Sequence, residues 1–161
     1  KKNHGIFCTT YTESRAPQFK WVGPLANNLW TIFAPAGTNL QIDDLEDTRG
    51  LLYAGYRGDV MTEYLLERGY KVSEMESDDL NPKRLELGQV DLWIADQLAG
   101  PYFASQQDVE GLVPVYSFNK TELYLAMNME TPDEVIQKLN QGLETIKNNG
   151  IYEAIETKYG L

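Results

Sequence analysis

The stretch LLYAGYRGDVMTEYLLERGYKVSEMESDDLNPKRLELGQVDLWIAD, residues 51–96, decides the fold class. It opens with an apolar run at residues 51–56, short enough for a buried strand. Gly58-Asp59 follows, and Val60, Met61, Tyr64 and Leu65 then recur at helical spacing until Gly69 stops the helix. Residues 70–75 alternate as a strand does. Asn81-Pro82 opens a second helix, with Asn81 at the N-cap, Pro82 at the first helical position, Leu85 with Leu80 as its apolar face, and Gly88 at its end. Residues 91–95 form a third strand. Strand, helix, strand, helix, strand is the order of an α/β unit, a parallel sheet covered by helices. Such sheets receive ligands at the carboxyl ends of their strands.

Working outward, a short helix at residues 97–105 and a strand at 112–116 complete this central unit. Upstream, residues 5–10 read as a strand, 19–25 as an extended segment ending at Pro24, 29–34 as a second extended segment, and 43–45 as a small helix. Downstream, residues 123–129 read as a strand, and Thr131-Pro132-Asp133-Glu134 has the pattern of a capping box. Val135, Ile136, Leu139, Leu143 and Ile146 form an apolar stripe, read as core packing, and Asn149-Gly150 breaks it. A last short helix presents Ile151, Tyr152, Ile155 and Tyr159. The expected plan is two lobes: residues 1–28 plus 118–161 form one, and the inserted unit 29–117 forms the other.

The bulk properties exclude several classes of function. A formal net charge of −10 over 161 residues repels phosphate backbones and anionic lipid, so nucleic acid is not an expected partner. A single cysteine, Cys8, leaves no internal disulfide and no cysteine zinc site, and a single histidine, His4, argues against a Ser-His-Asp triad. No apolar run reaches bilayer-spanning length. The opening Lys1-Lys2-Asn3 is compatible with a removed leader. Neither a metal motif nor a catalytic constellation emerges, and no cofactor is expected.

Three places have chemistry suited to a small polar ligand. In Thr10-Tyr11-Thr12-Glu13-Ser14-Arg15 a strand ends in hydroxyls followed by a guanidinium, which grips a carboxylate with two hydrogen bonds; a surface pair of Arg15 with Glu13 fits the same residues. In Arg57-Gly58-Asp59-Val60 a strand meets a helix at a glycine, where backbone N–H groups attract anions; Asp59 equally suits an N-cap. Asp96 ends a strand at the carboxyl edge, where it suits an ammonium group or caps the following helix. Trp21, Trp30, Tyr53, Tyr56 and Trp93 are candidates for core or lobe contact, and Trp30 also suits a place lining a cleft.

Taken in order, these segments resemble bacterial periplasmic solute-binding proteins of family 3. The resemblance is carried by Thr12-Glu13-Ser14-Arg15 ahead of Phe19-Lys20-Trp21-Val22-Gly23-Pro24, by Leu87-Gly88-Gln89-Val90-Asp91, and by Lys147-Asn148-Asn149-Gly150-Ile151-Tyr152 leading to Lys158-Tyr159. It implies a periplasmic-binding-protein type II fold, a two-lobed Venus flytrap whose first lobe is incomplete here. It implies extracytoplasmic, periplasmic capture of an amino-acid-like solute for the membrane subunits of an ABC importer, with no catalysis. By position, Arg15 resembles the arginine that holds the ligand carboxylate, assisted by Thr10. Gly58, Asp59 and Val60 fall on the turn that meets the same carboxylate, and Asp96 resembles the acid that binds the ammonium.

The chain departs from the family where Cys8 replaces a small hydroxyl residue and where Asp59 replaces a Ser or Thr; a carboxylate at the second position repels a ligand carboxylate, which argues against an ordinary α-amino acid and leaves a cationic, a peptide-like or a quite different solute open. The matched segment also lacks the long N-terminal part of the first lobe, so pairing with another copy or with a separate N-terminal fragment is expected to cover apolar surface. Two other functions use the same scaffold: a dehydratase of a cyclic carboxylic acid, and the sensor domain of a membrane receptor.

Overall fold

The structure is a computed structural model and describes residues 1–159. The chain divides into two compact units, Lys1–Asn27 with Thr121–Leu161, and Asn28–Lys120. Strands β2 (Lys20–Ala34) and β6 (Val113–Met127) contribute residues to both.

In the unit formed by residues 28–120, β3 (Leu52–Tyr56), α1 (Val60–Glu67), β4 (Lys71–Met75), α2 (Asn81–Glu86), β5 (Leu92–Asp96) and α3 (Ala99–Gln106) follow one another as the alternating pattern requires. Strand β3 runs parallel to both β4 and β5, and the late part of β2 pairs antiparallel with β5, giving the order β2-β5-β3-β4. The central strands are apolar on both faces because helices and loops cover both. One face packs Trp30, Ile32, Tyr53, Leu92 and Ile94 with Met61 and Leu65; the other packs Phe33, Ala54, Trp93 and Ala95 with Leu85 and Val90. Asp59 caps α1, and a 3-10 turn at Leu45–Thr48 is closed by reciprocal bonds of Asp44 and Asp47. This turn lies slightly later than the small helix expected around residues 43–45.

In the other unit, β1 (Gly5–Thr10) lies at the end of the strand order and pairs antiparallel with β6, with a bulge between Ile6 and Thr9. Helices α4 (Asp133–Asn148) and α5 (Ile151–Tyr159) pack together. A small cluster of Val22, Leu125 and Met127 is backed by Leu25 and Ile136. Of the face expected on α5, Tyr152 donates to the Leu25 carbonyl at 2.7 Å, Ile151 and Ile155 are exposed, and the Tyr159 side chain falls outside the described residues.

Several expectations are corrected. The two extended segments at 19–25 and 29–34 are one strand, β2. Pro24 does not end it, because Gly23 adopts φ +149°, a backbone open to glycine, and α4 satisfies the interruption. The Asn140 side chain accepts from the Gly23 N–H at 3.2 Å, and Lys147 Nζ donates to the Pro24 carbonyl at 2.7 Å. The separate strands at 112–116 and 123–129 likewise merge into β6, with Asn119 at φ +56° taking up a local irregularity. Asn81 does not cap α2; it is fully buried, and its amide donates to the Gly55 carbonyl and to Asp78. Leu80 is 44% exposed and leaves Leu85 to anchor that helix. The capping box at Thr131 does not form: Pro132 stands at the N-cap, and Thr131 is buried with its hydroxyl lacking a partner. The carbonyl of Thr131 accepts instead from Lys20. The stripe on α4 is not a sealed core, since no residue of that helix is buried.

Two substitutions test this packing. A Cβ at Gly23 would stand 2.5 Å from Tyr124 Cδ1 on a backbone disfavoured for L residues, so Gly23→Ala should lower unfolding free energy by about 1–3 kcal/mol in chemical denaturation. Leu65 is wholly buried, and Leu65→Ala should cost about 2–5 kcal/mol.

Candidate functional site

The parallel register of β3 with β5 pairs Tyr53 with Leu92 and Ala54 with Trp93. That alignment brings the turn after β3 and the end of β5 to the same edge of the sheet, the carboxyl edge, where an α/β unit leaves room for a ligand. The turn is held at both ends. Arg57 N–H donates to the Met75 carbonyl at 2.9 Å, and Gly58 adopts φ +77°. Asp59 Oδ2 accepts from the backbone N–H groups of Met61 and Thr62, both at 3.1 Å, and from the Thr62 hydroxyl at 3.4 Å. Thr62 Oγ1 in turn accepts from the Tyr56 N–H at 3.1 Å. Gly55 permits this contact, because a Cβ there would collide with the Thr62 hydroxyl. Val60 is half-buried at the start of α1. Burial pushes the Asp59 carboxyl above its ordinary value, against the hydrogen bonds from Thr62 and Met61. Asp59 therefore serves as the helix cap, with its charge directed into backbone donors.

Asp96 closes β5 at the same edge. Its Oδ1 accepts from the N–H groups of Leu98 and Ala99, both at 2.8 Å, which orients the carboxylate. Its Oδ2 is buried with no hydrogen-bond partner. Trp30 is the direct cross-strand neighbour of Asp96, is 97% buried, and has an indole N–H that also lacks a partner. Trp30 is fixed by edge-to-face contacts with Tyr64 and Phe118, at centroid distances of 5.3 and 5.9 Å. Asn28, two residues earlier on the same face of β2, buries a side-chain carbonyl oxygen without a partner. Two unmet acceptors and one unmet donor therefore occupy adjacent register positions on one sheet face. Buried polar atoms in that state carry a desolvation cost that a ligand group relieves.

In the other unit, Thr10 is buried at the end of β1, paired with Leu123. Arg15 is half-buried, and its position comes from a tight turn. Its N–H donates to the Thr12 carbonyl at 3.1 Å and to Thr12 Oγ1 at 3.2 Å, and a 3-10 turn, Ala16–Gln18, follows. Thr12 Oγ1 and Ser14 Oγ lie 3.0 Å apart. Cys8 is exposed at φ +57°. Within residues 28–120, Gly58, Asp59, Val60 and Asp96 thus share one sheet edge. Thr10 and Arg15 share one stretch of the other unit. Among the described residues, no group of three or more acidic, histidine or cysteine side chains is arranged to hold a metal ion.

Asn28 and Asp78 are the residues that the sequence reading missed. Asn28 sits in the polar stretch Ala26-Asn27-Asn28, which resembles a loop, and only its place inside β2 buries it. Asp78 lies among the acidic residues Glu74, Glu76 and Asp79, from which its burial cannot be distinguished by composition.

No family model and no curated protein matches the sequence. Solved structures do. The crystal structure of a histidine kinase sensor domain with similarity to periplasmic binding proteins aligns at TM-score 0.84 and 28% identity, over 96% of this chain and 67% of that one. An ancestral arginine-binding protein bound to arginine aligns at TM-score 0.81 and 24% identity, over 94% and 68%. The GluR0 ligand-binding core from Nostoc punctiforme in complex with L-glutamate aligns at TM-score 0.81 and 21% identity, over 96% and 71%. The chain thus spans about two thirds of the length of each of these proteins. It carries the mixed α/β fold of periplasmic binding proteins, and two of these neighbours were solved with an amino acid bound, arginine in one and L-glutamate in the other.

Proposed function

We propose that the protein binds a small zwitterionic solute of the amino-acid class, without turning it over, and delivers it to the membrane subunits of an importer on the extracytoplasmic side. The observation that carries this reading is Asp96: one carboxylate oxygen is fixed by two backbone N–H groups, and the other is buried without a partner at the carboxyl edge of the sheet. A buried anionic acceptor in that position suits a ligand ammonium. Trp30 and Asn28 stand ready beside it as further polar contacts. Arg15, assisted by Thr10, supplies the guanidinium for the ligand carboxylate. The Gly58–Asp59–Val60 turn adds the positive end of α1, with Asp59 acting as its cap. The bound arginine and L-glutamate of the structural neighbours are consistent with a ligand of this class.

Sensing is the second reading, favoured by the 28% identity to a histidine kinase sensor domain. Both readings require the same ligand binding. The full coding sequence separates them: a kinase module in the same reading frame favours sensing, and adjacent importer genes favour delivery.

A thermal-shift screen against amino acids, short peptides and organic acids tests the binding itself. A cognate solute should raise Tm in a concentration-dependent way. Asp96→Asn and Arg15→Ala should each weaken it by about 2–5 kcal/mol, measured by isothermal titration calorimetry. Affinity unchanged in both variants, or no stabilising solute of this class, would remove the reading.

A further inference from the structure

Below the carboxyl edge lies a second buried carboxylate, to which the binding reading assigns no role. Asp78, in the loop between β4 and α2, is only 9% exposed. Its Oδ1 accepts from the Asn81 amide at 2.7 Å and from the Trp93 indole N–H at 2.9 Å. The same Asn81 amide donates to the Gly55 carbonyl at 3.1 Å. Asn81 Oδ1 accepts from Arg84 at 2.8 Å, and Arg84 also donates to the Ser73 carbonyl and hydroxyl. One carboxylate thus ties together β5 through Trp93, β3 through Gly55, α2 through Asn81, and β4 through Arg84. Gly55 immediately precedes Tyr56, the residue from which the candidate binding turn springs.

The charged groups around Asp78 do not neutralise it. From the turn between β3 and α1 it meets the like charge of Asp59, itself only 7% exposed, and from its own loop that of Asp79. Asp79 is engaged by the Ser77 hydroxyl. Of the two cations on α2, Arg84 spends its donors on Asn81 and Ser73, and Lys83 pairs with Glu86. Strands β5 and β4 present Trp93 and Ser73, both neutral. Two buried carboxylates therefore lie in the loops next to the end of β3, and ionising both buries like charge there that hydrogen-bond donors, rather than cations, offset.

We propose that Asp78 is a proton-operated positioning residue: protonated, it locks the end of β3 and the Tyr56–Val60 turn in the geometry seen here, and ionised, it loosens them because its charge is buried among neutral donors, with the buried carboxylate of Asp59 adding to the cost. That the turn is a ligand-binding element rests on the proposed function; that it loosens does not. Consistent with this, burial, with the Asp59 charge adding to it, raises the Asp78 carboxyl from an ordinary value of 3.8 to about 6, against the bonds from Asn81 and Trp93. A carboxyl raised in the folded state contributes stability that is fully present below its unfolded value and is lost as pH rises through its folded one. Tightening is therefore expected as pH falls through about 6.

Amide hydrogen exchange of the ligand-free chain, followed by NMR from about pH 7.5 to about pH 5 and corrected for intrinsic rates, tests this. Residues 57–62 and the Trp93 indole N–H should gain about tenfold or more in protection as pH falls, with one shared midpoint. In Asp78→Asn, which retains an acceptor and cannot ionise, protection should be high and independent of pH. A flat profile in the unaltered chain, or the same pH dependence in Asp78→Asn, overturns the proposal. If Asp78→Asn does not fold, Asp59→Asn takes its place: it removes the facing charge and should move the Trp93 indole midpoint to lower pH, and an unmoved midpoint overturns the proposal equally. No ligand enters the experiment, so its failure would leave the solute-binding reading standing, and failure of the ligand screen would leave this result standing.

Discussion

Everything at the candidate site depends on the parallel pairing of β3 with β5. Trp93 and Tyr53 are wholly buried on opposite sheet faces, and each is packed among residues from the helices that cover its side. A slip of one residue would turn both rings, with their neighbours, to the wrong face, so the register is strongly specified. Once it is set, chain length does the rest. The turn after β3 and the acid that ends β5 must emerge at one edge, and no separate interaction is needed to bring them there.

Three buried or partly buried carboxylates at or near that edge serve three different purposes, and their partners explain the difference. Asp59 faces backbone donors and behaves as a cap. Asp78 faces neutral side-chain donors that link four elements. Asp96 satisfies one oxygen locally and leaves the other unmet. The same functional group is structural, linking or receptive according to which donors the chain brings to it and whether an oxygen is left buried without one. A chain with a formal net charge of −10 has many acids, so counting them says little; the local donors say more.

The central unit was legible because each of its elements combines a period with a stop. Residues 51–56 form an apolar run before Arg57-Gly58, and α1 places its apolar positions at helical spacing until Gly69 breaks the pattern. Long strands were harder to read. Pro24 is a strong local break signal, and its tolerance inside β2 rests on Asn140 and Lys147, residues of a helix more than a hundred positions away. The Thr131 box failed for a similar reason: tertiary contact buries Thr131, with its carbonyl taken by Lys20, and removes the hydroxyl from capping. Candidate residues were readable as types at strand ends, Asp96 above all. Asn28 was hidden, because a polar residue inside a strand is recognised as buried only when its neighbours are known.

The edge strand β1 has a consequence of a different kind. Ile6 and Phe7 are 60% and 70% exposed on a strand that stands at the end of its sheet order. An apolar edge of this sort is a template on which another extended chain can hydrogen-bond. What opposes this is long-range repulsion between acidic molecules, which dissolved salt screens over about 8–10 Å at ordinary ionic strength. For residues 1–161 as a separate chain, association is therefore set by a balance between this strand and the net charge of the surface. Ionic strength tips that balance towards association without altering a single contact inside the fold.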